Sequence, residues 1–475
     1  MNRQSSICGK VKEKFFAKGA YIIARAEKRK LKKDFQKDIR EFLKVQNHFL
    51  PNLIEELKLI EDPRNKSYID YAIEEIIYTM VIKNVCSISS MQEMTEQFNN
   101  DECVKNICKI LGIEEKDFLP HYVTINECLE NLDPEELNKL RKKMIYTLLR
   151  KRSFEGARFL GKHWLVIVDA TQLFYFNKKH CEHCLKKTIN KGTPEEKTYY
   201  YHNVLEAKIV LGDNLVVSIA TEFIENEKED VKKQDCERNA FKRLAEQLKN
   251  MYPRLPICIL GDSLYACEPV FQICQDNKWQ YLIRYKDGSI PTLAEEYHSI
   301  VDMGENEEKI ELSEIIFKRK PTENIRNQIR WVTDINYREI MLTVIELKVE
   351  INTKESGAFQ WITNLKVTDK TAGEFASTGR SRWKIENQGF NIQKNYRYDI
   401  KHANSLNCKA MKNHYLLVQI SDILLQLYEN GIKALKSIKR TIKNISSDIL
   451  KSLSQLLLTM EDILYSKKRI NIHVP

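Results

Sequence analysis

The spacing of apolar and polar positions changes several times along this chain. Over residues 71–150 apolar positions recur at helical intervals, with helix starts expected at Ser89, Thr124 and Asp133-Pro134, where a capping side chain or an N1 proline fits. At Lys162 the texture changes: HWLVIVDATQLFYF has the aliphatic and aromatic density of a buried strand. VLEAKIVLGDNLVVSIATEF predicts two more strands around a hairpin at Gly212-Asp213-Asn214. A helix is predicted over 235–251, then a buried strand, LPICILGDS, ending on Asp262, a short helix, and the strand WQYLIRY. Between 287 and 360, IRWVTDINY and IMLTVIELKVEI read as strands of a β-rich insertion. FQWITNLKV returns to a buried strand, and a helix over 371–394 carries RSRWKIENQGFNIQK. Long amphipathic helices are predicted around HYLLVQISDILLQLY and ISSDILKSLSQLLLTMEDILY.

This order, β-β-β-α-β-α-β, is that of a ribonuclease-H-like fold, whose first three strands form a meander and whose fourth lies parallel to the first. The fold class expected is therefore α/β: a ribonuclease-H-like core with a β-rich insertion, flanked by helical N- and C-terminal regions. The expected parts are a helical N-terminal module at 1–155, the first part of the core at 156–286, the insertion at 287–360, the second part of the core at 361–430, and a helical C-terminal region at 431–475. A chain of 475 residues exceeds one ordinary hydrophobic core, in keeping with several parts.

Composition narrows the function classes. Hydrophobic content of 43% and charged content of 30% describe a globular chain, and no apolar run reaches the roughly 18 residues of a membrane span. The polar, then basic, N-terminus lacks the pattern of a secretory signal, so a cytoplasmic, nucleoid-associated location is expected. With 76 Lys and Arg against 66 Asp and Glu, the net charge of +10 favours a polyanionic partner. The segment RAEKRKLKKDFQKDIR, residues 25–40, predicts a basic amphipathic helix. Its Lys28, Arg29, Lys30, Lys32 and Lys33 are candidates for phosphate contacts, or else form a solvated face.

Asp169 and Asp262 are the candidate chemical residues, although either alone could be only a turn former or cap. Each ends or interrupts a strongly apolar strand, VIVDA and ILGDS, and in the expected topology those strands are parallel neighbours. Phosphodiester chemistry at paired divalent ions needs hard oxygen ligands from separate elements. A helical Glu386 beyond the insertion supplies a third carboxylate.

At these residues the sequence resembles the DDE transposases of bacterial insertion sequences, in the class with a β-rich insertion between the second Asp and the Glu. The resemblance runs from about residue 62 to 430, and its most specific pieces are VDAT around Asp169, LGDSLYA around Asp262 and RWKIENQGFN around Glu386. That class has a Tyr-x2-Arg-x3-Glu-x6-Lys signature, whose Arg falls on Arg382 and whose Glu falls on Glu386. The Tyr position is Gly379 and the Lys position is Gln393, with Lys394 one residue later as a substitute. The resemblance implies that Asp169, Asp262 and Glu386 hold two Mg2+ or Mn2+ ions for strand cleavage and strand transfer at transposon ends. It also implies double-stranded transposon ends and target DNA as partners, and a homodimer in the DNA complex. Arg382, Lys384 and Lys394, with Arg397 and Lys401, are candidate DNA contacts, whereas Trp383 and Ile385 read as packing residues. The rival readings are a transposase-derived DNA-binding protein without catalysis and a metal-dependent nuclease that makes breaks without joining.

The twelve cysteines read as reduced thiols, with Cys258, Cys267 and Cys274 in core contexts. HCEHC, residues 180–184, packs four soft or borderline ligands into five positions after the first strand. The expected meander brings His202 and Cys236 to the same end of the sheet. A structural zinc site of Cys181, Cys184, His202 and Cys236 is the expectation, with His180 or His183 as alternative ligands and an unmetallated loop as the other outcome.

Overall fold

The computed structural model describes residues 38–228, 231, 233–316, 322–431 and 441–468. The five cationic residues from Lys28 to Lys33 lie outside the described residues. The helices are α1 (Asp38–Phe49), α2 (Leu53–Lys58), α3 (Ile73–Val85), α4 (Met91–Phe98), α5 (Asp101–Leu111), α6 (Tyr122–Asn131), α7 (Pro134–Leu149), α8 (Glu237–Met251), α9 (Glu268–Asp276), α10 (Pro291–Asp302), α11 (Ala372–Arg380), α12 (Cys408–Gly431), α13 (Ile442–Gln455) and α14 (Met460–Ser466). The strands are β1 (Trp164–Phe176), β2 (Leu185–Ile189), β3 (Lys197–Gly212), β4 (Leu215–Ile224), β5 (Ile257–Gly261), β6 (Gln280–Tyr285), β7 (Glu307–Ile315), β8 (Glu323–Tyr337), β9 (Ile340–Ile351) and β10 (Lys354–Thr363).

The chain separates into two compact units. An insertion unit gathers Lys162–Val166 and Leu255–Trp383; a helical unit gathers Ile167–Arg254 with the described parts of Ile23–Gly161 and Lys384–Pro475. Strand β1 is divided between them.

In the insertion unit β5 pairs in parallel with β6 across a connection that carries α9, and β10 pairs antiparallel with β6. From β10 the meander continues outward through β9 and β8 to β7. Its hairpins are tight: Arg338 and Glu339 have φ of 48° and 67°, and Asn352 and Thr353 have 51° and 67°, the doubly positive pattern of a turn matched to strand twist. Strands β8 and β9 were legible in the sequence, whereas β7, whose residues are exposed or half-buried, was not.

In the helical unit β4 and the short β2 both pair antiparallel with β3, which neighbours β1. Gly212 and Leu215 flank the expected turn. The helix starts are capped by Ser90 at α4 and by Asp133 ahead of Pro134 at α7, while α6 is capped by His121, three residues before the Thr124 expected from sequence. The largest departure is α12. Sequence periodicity predicts an amphipathic helix, yet every residue over 413–428 is buried, including Asn413, His414, Gln419, Ser421, Asp422 and Gln426. This helix is wrapped by α1, α3, α6, α7 and β4, so its polar residues must find partners inside. The last predicted helix is broken in two, because Thr459 caps a new start at α14.

Among the described residues no helix is long and apolar enough to cross a membrane.

Candidate active site

In the helical unit, β1 runs through buried Ile167 and Val168 and then opens at half-buried Asp169, whose Oδ1 accepts the Ala170 amide at 3.0 Å. Glu386 is exposed and lies in a stretch that is not an ordinary α-helix. The chain winds as a π-helix over Ile385–Phe390 and again over Gln393–Arg397, with the Asn391 amide reaching back to the Glu386 carbonyl and the Tyr398 amide to that of Gln393. A π-turn takes up one more residue than an α-turn and recurs at functional positions.

That winding accounts for the displaced lysine. In an α-helix a residue seven positions on falls within about 20° of the same face, whereas the eighth is turned well away. With extra residues absorbed by π-turns, the eighth residue comes round instead. Gln393 is fully buried, and it is Lys394 that lies within electrostatic reach of both Glu386 and Asp169. Burial holds the half-buried Lys394 ammonium below its ordinary pKa, Lys401 adds to this, and the two carboxylates oppose it.

Beneath this segment is a polar floor that the sequence reading did not identify. Gln393 Nε2 donates to Gln419 Oε1 at 3.1 Å and to Asp422 Oδ2 at 2.9 Å. Lys208 of β3 reaches the same Gln419 oxygen at 3.1 Å, and Gln426 donates to Asp422 at 2.8 Å. Arg397 donates to Asp422 Oδ1 at 3.1 Å and also pairs with Glu429. Burial works against the Arg397 charge, but Glu429, Tyr398 and Asp422 outweigh it and hold the guanidinium above its ordinary range. Arg397, a candidate DNA contact or else a solvated charge by sequence, is neither: it is a buried structural cation, because two carboxylates inside the fold already claim it. The signal available in sequence was Gln419, Asp422 and Gln426 recurring on one face of an otherwise apolar helix. Lys384 leans toward Asp213 at 3.9 Å, and neighbouring Gln388 bonds to Asp213 and Asn214 of the β3–β4 turn.

In the insertion unit, Asp262 follows β5 and caps a short 3-10 turn, its Oδ1 accepting the Leu264 amide at 2.8 Å. It opens onto a cleft of about 380 Å³ lined by Arg284, Lys286, Trp361, Arg380, Arg382 and Trp383 among others, and among the described residues Asp262 is the one acidic residue lining it. Arg284 donates to the carbonyls of Gln360 and Ala358 and stacks on Phe359 and Trp361, while Arg380 lies over the Phe359 ring. Burial, with Arg382 close by, lowers the Arg284 pKa, so the cleft concentrates positive charge. Trp383 is 61% exposed, which corrects its reading as a packing residue; Ile385 is fully buried as expected. A Cβ on Gly379 would fall 2.3 Å from the Trp361 indole, so Trp361 fills the space a signature tyrosine needs.

A separate cluster in the helical unit contains Cys181, Cys184 and His202, whose ligand atoms all lie within 4.8 Å of one another. Cys236 is not among them; it stands before α8 with no capping bond from its side chain. Cys408, the first residue of α12, lies near enough to act electrostatically on Cys181 and Cys184, although its sulfur is outside the group whose ligand atoms are all within 4.8 Å of one another. The proximity of Cys408, with burial, pushes the Cys181 thiol up to about 11 against the pull of His202, and the same pairing lowers Cys408. His183 is turned to the Asn226 carbonyl at 2.8 Å and His180 packs on Phe176, so neither alternative histidine is in the group.

Residues 216–416 match the family model described as Transposase DDE domain. The match spans Asp262 and Glu386 and begins after Asp169. One solved structure that is similar, a cryo-EM structure of piggyBac transposase in a synaptic complex with hairpin DNA, is 10% identical with a TM-score of 0.41, covering 90% of this chain and 81% of that one. No curated protein matches the chain.

Proposed function

We propose that this protein is a DNA transposase that cleaves and joins DNA strands, with Asp169, Asp262 and Glu386 as its metal-holding carboxylates and a homodimer as the form that assembles on double-stranded transposon ends. The observation that carries the reading is Lys394 lying within reach of both Asp169 and Glu386, carboxylates far apart in sequence. The strand pairing within each unit supports it: β4 pairs with β3 antiparallel in the helical unit, and β5 with β6 in parallel in the insertion unit, as in a ribonuclease-H-like core.

The donor set fits Mg2+ or Mn2+, being hard carboxylate oxygens on accessible or half-buried positions. Two such ions would supply a nucleophile at neutral pH and charge stabilisation at the phosphorus undergoing attack. The protein's own part is to orient and to bind. The Ala170 and Leu264 amides fix the two aspartates. Lys394 places a cation beside Glu386 for a phosphate of the transposon end, taking the role of the signature lysine. The cleft at Asp262 offers Arg284, Arg380, Arg382 and Lys286 to the DNA backbone, and exposed Trp383 offers a stacking face to a base.

The test uses the purified chain with DNA carrying the ends that flank its own locus. With Mg2+ or Mn2+ the wild type is expected to cleave and join. Asp169→Asn, Asp262→Asn and Glu386→Gln should each abolish cleavage while retaining DNA binding. Metal-dependent cleavage that persists in all three variants overturns the assignment, and breaks without joined products leave only a nuclease.

A further inference from the structure

We propose that Cys181, Cys184, His202 and Cys408 form a structural zinc site that clamps the start of helix α12 to the loop after β1 and to β3. This inference does not depend on the transposase reading.

The geometry is that of a tetrahedral face. Cys181 Sγ and Cys184 Sγ are 3.5 Å apart, and His202 Nε2 is 3.4 Å from the first and 3.5 Å from the second. Zinc bonds of ordinary length at tetrahedral angles place two sulfurs about 3.8 Å apart and a sulfur and an imidazole nitrogen about 3.6 Å apart. Thiols are weak hydrogen-bond partners, so such a compact, largely buried group gains little from its own contacts. Cys184 and His202 are 4% and 5% exposed. Three donors leave a tetrahedral ion one ligand short, and that position falls to Cys408, the first residue of α12, which lies near the group without closing on it.

The surroundings are built to hold these ligands. The Cys184 amide bonds to the Cys181 carbonyl at 3.4 Å, the turn that a Cys-x2-Cys pair uses to converge. Asn226 fastens the same loop from outside, donating to the Cys184 carbonyl at 2.9 Å and, through its backbone, to that of His183 at 3.1 Å. Phe174 and Phe176 flank the His202 ring and keep water from that side.

The consequence lies in α12. Its Gln419 and Asp422 support Gln393 and Arg397 from below. A metal that pins the first residue of α12 therefore braces the floor under the segment that presents Lys394 and Glu386.

The full chain, purified under reducing conditions without chelator, should carry one zinc per chain by mass spectrometry of the metal. Replacement by Co2+ should give the absorption of a tetrahedral thiolate site. Cys408→Ser should weaken zinc binding by more than about 100-fold, beyond what loss of an outer partner costs, whereas Cys236→Ser should leave affinity unchanged. Cys408→His keeps a donor and should retain tetrahedral Co2+. Chelation of the wild type should lower its melting temperature, with recovery on adding Zn2+ but not Mg2+, a readout independent of whether any variant folds. A wild type without zinc, wild-type affinity in Cys408→Ser, or lost binding in Cys236→Ser overturns the proposal.

Discussion

Two regions of this molecule are rich in arginine and lysine, and they do opposite things with the charge. In the floor beneath the signature segment, Arg397 is matched by Asp422 and Glu429, and Lys208 is held by Gln419, all inside the fold. In the cleft at Asp262, Arg284 is held by main-chain carbonyls and aromatic faces, with Arg382 close enough to disfavour its charge. The first region is closed electrostatically and has nothing to offer a ligand. The second is cationic and gains from an anion. Counting basic residues near a carboxylate motif does not separate these cases; asking what already satisfies each cation does.

The sharpest way to break the comparison is to remove a floor cation. Arg397→Ala strands the buried Asp422, and an uncompensated buried charge costs about 3–5 kcal/mol. Denaturant unfolding should show a loss of that order, with DNA affinity falling only in step with the folded fraction. A variant of wild-type stability with weakened DNA binding would move Arg397 back to the DNA-facing set.

A smaller effect is expected at the wall of the cleft. Gly379→Ala drives a methyl into the Trp361 indole, and overpacking of this kind costs about 1–3 kcal/mol. The cost should shrink in a Trp361→Ala background, measured as a double-mutant cycle in denaturant melts. Equal costs in both backgrounds would show that Trp361 is not what excludes a side chain at 379.

Much of this was legible in the sequence, and the failures share a cause. Strands β1, β3 to β6 and β8 to β10 announce themselves through dense apolar runs, and Asp169 and Asp262 are visible because each interrupts one. Period-based reading assumes one helical pitch, so it could not see that π-turns replace Gln393 by Lys394 on the Glu386 side. It also assumes that polar means outward, which fails for Arg397, Asp422 and Gln426 in α12 and its neighbours. Cys408 was missed for a different reason: a ligand more than two hundred positions from its Cys-x2-Cys partners has no local spacing to betray it.

The smallest expected change in stability belongs to the exposed cations of the cleft, and it is the one that tests the other half of the comparison. Lys286 and Arg380 are both exposed, and Arg380 touches the fold mainly through the face of Phe359. Substituting either by Ala should alter unfolding free energy by no more than about 0.5 kcal/mol. If each neutralises one phosphate, the slope of log affinity against log salt should become shallower by about 0.9 per residue on duplex DNA, uniformly across sequences. A slope identical to wild type in the double variant would mean that the cleft's charge faces water rather than DNA, whereas a large loss of stability would place these residues with the floor they are contrasted against.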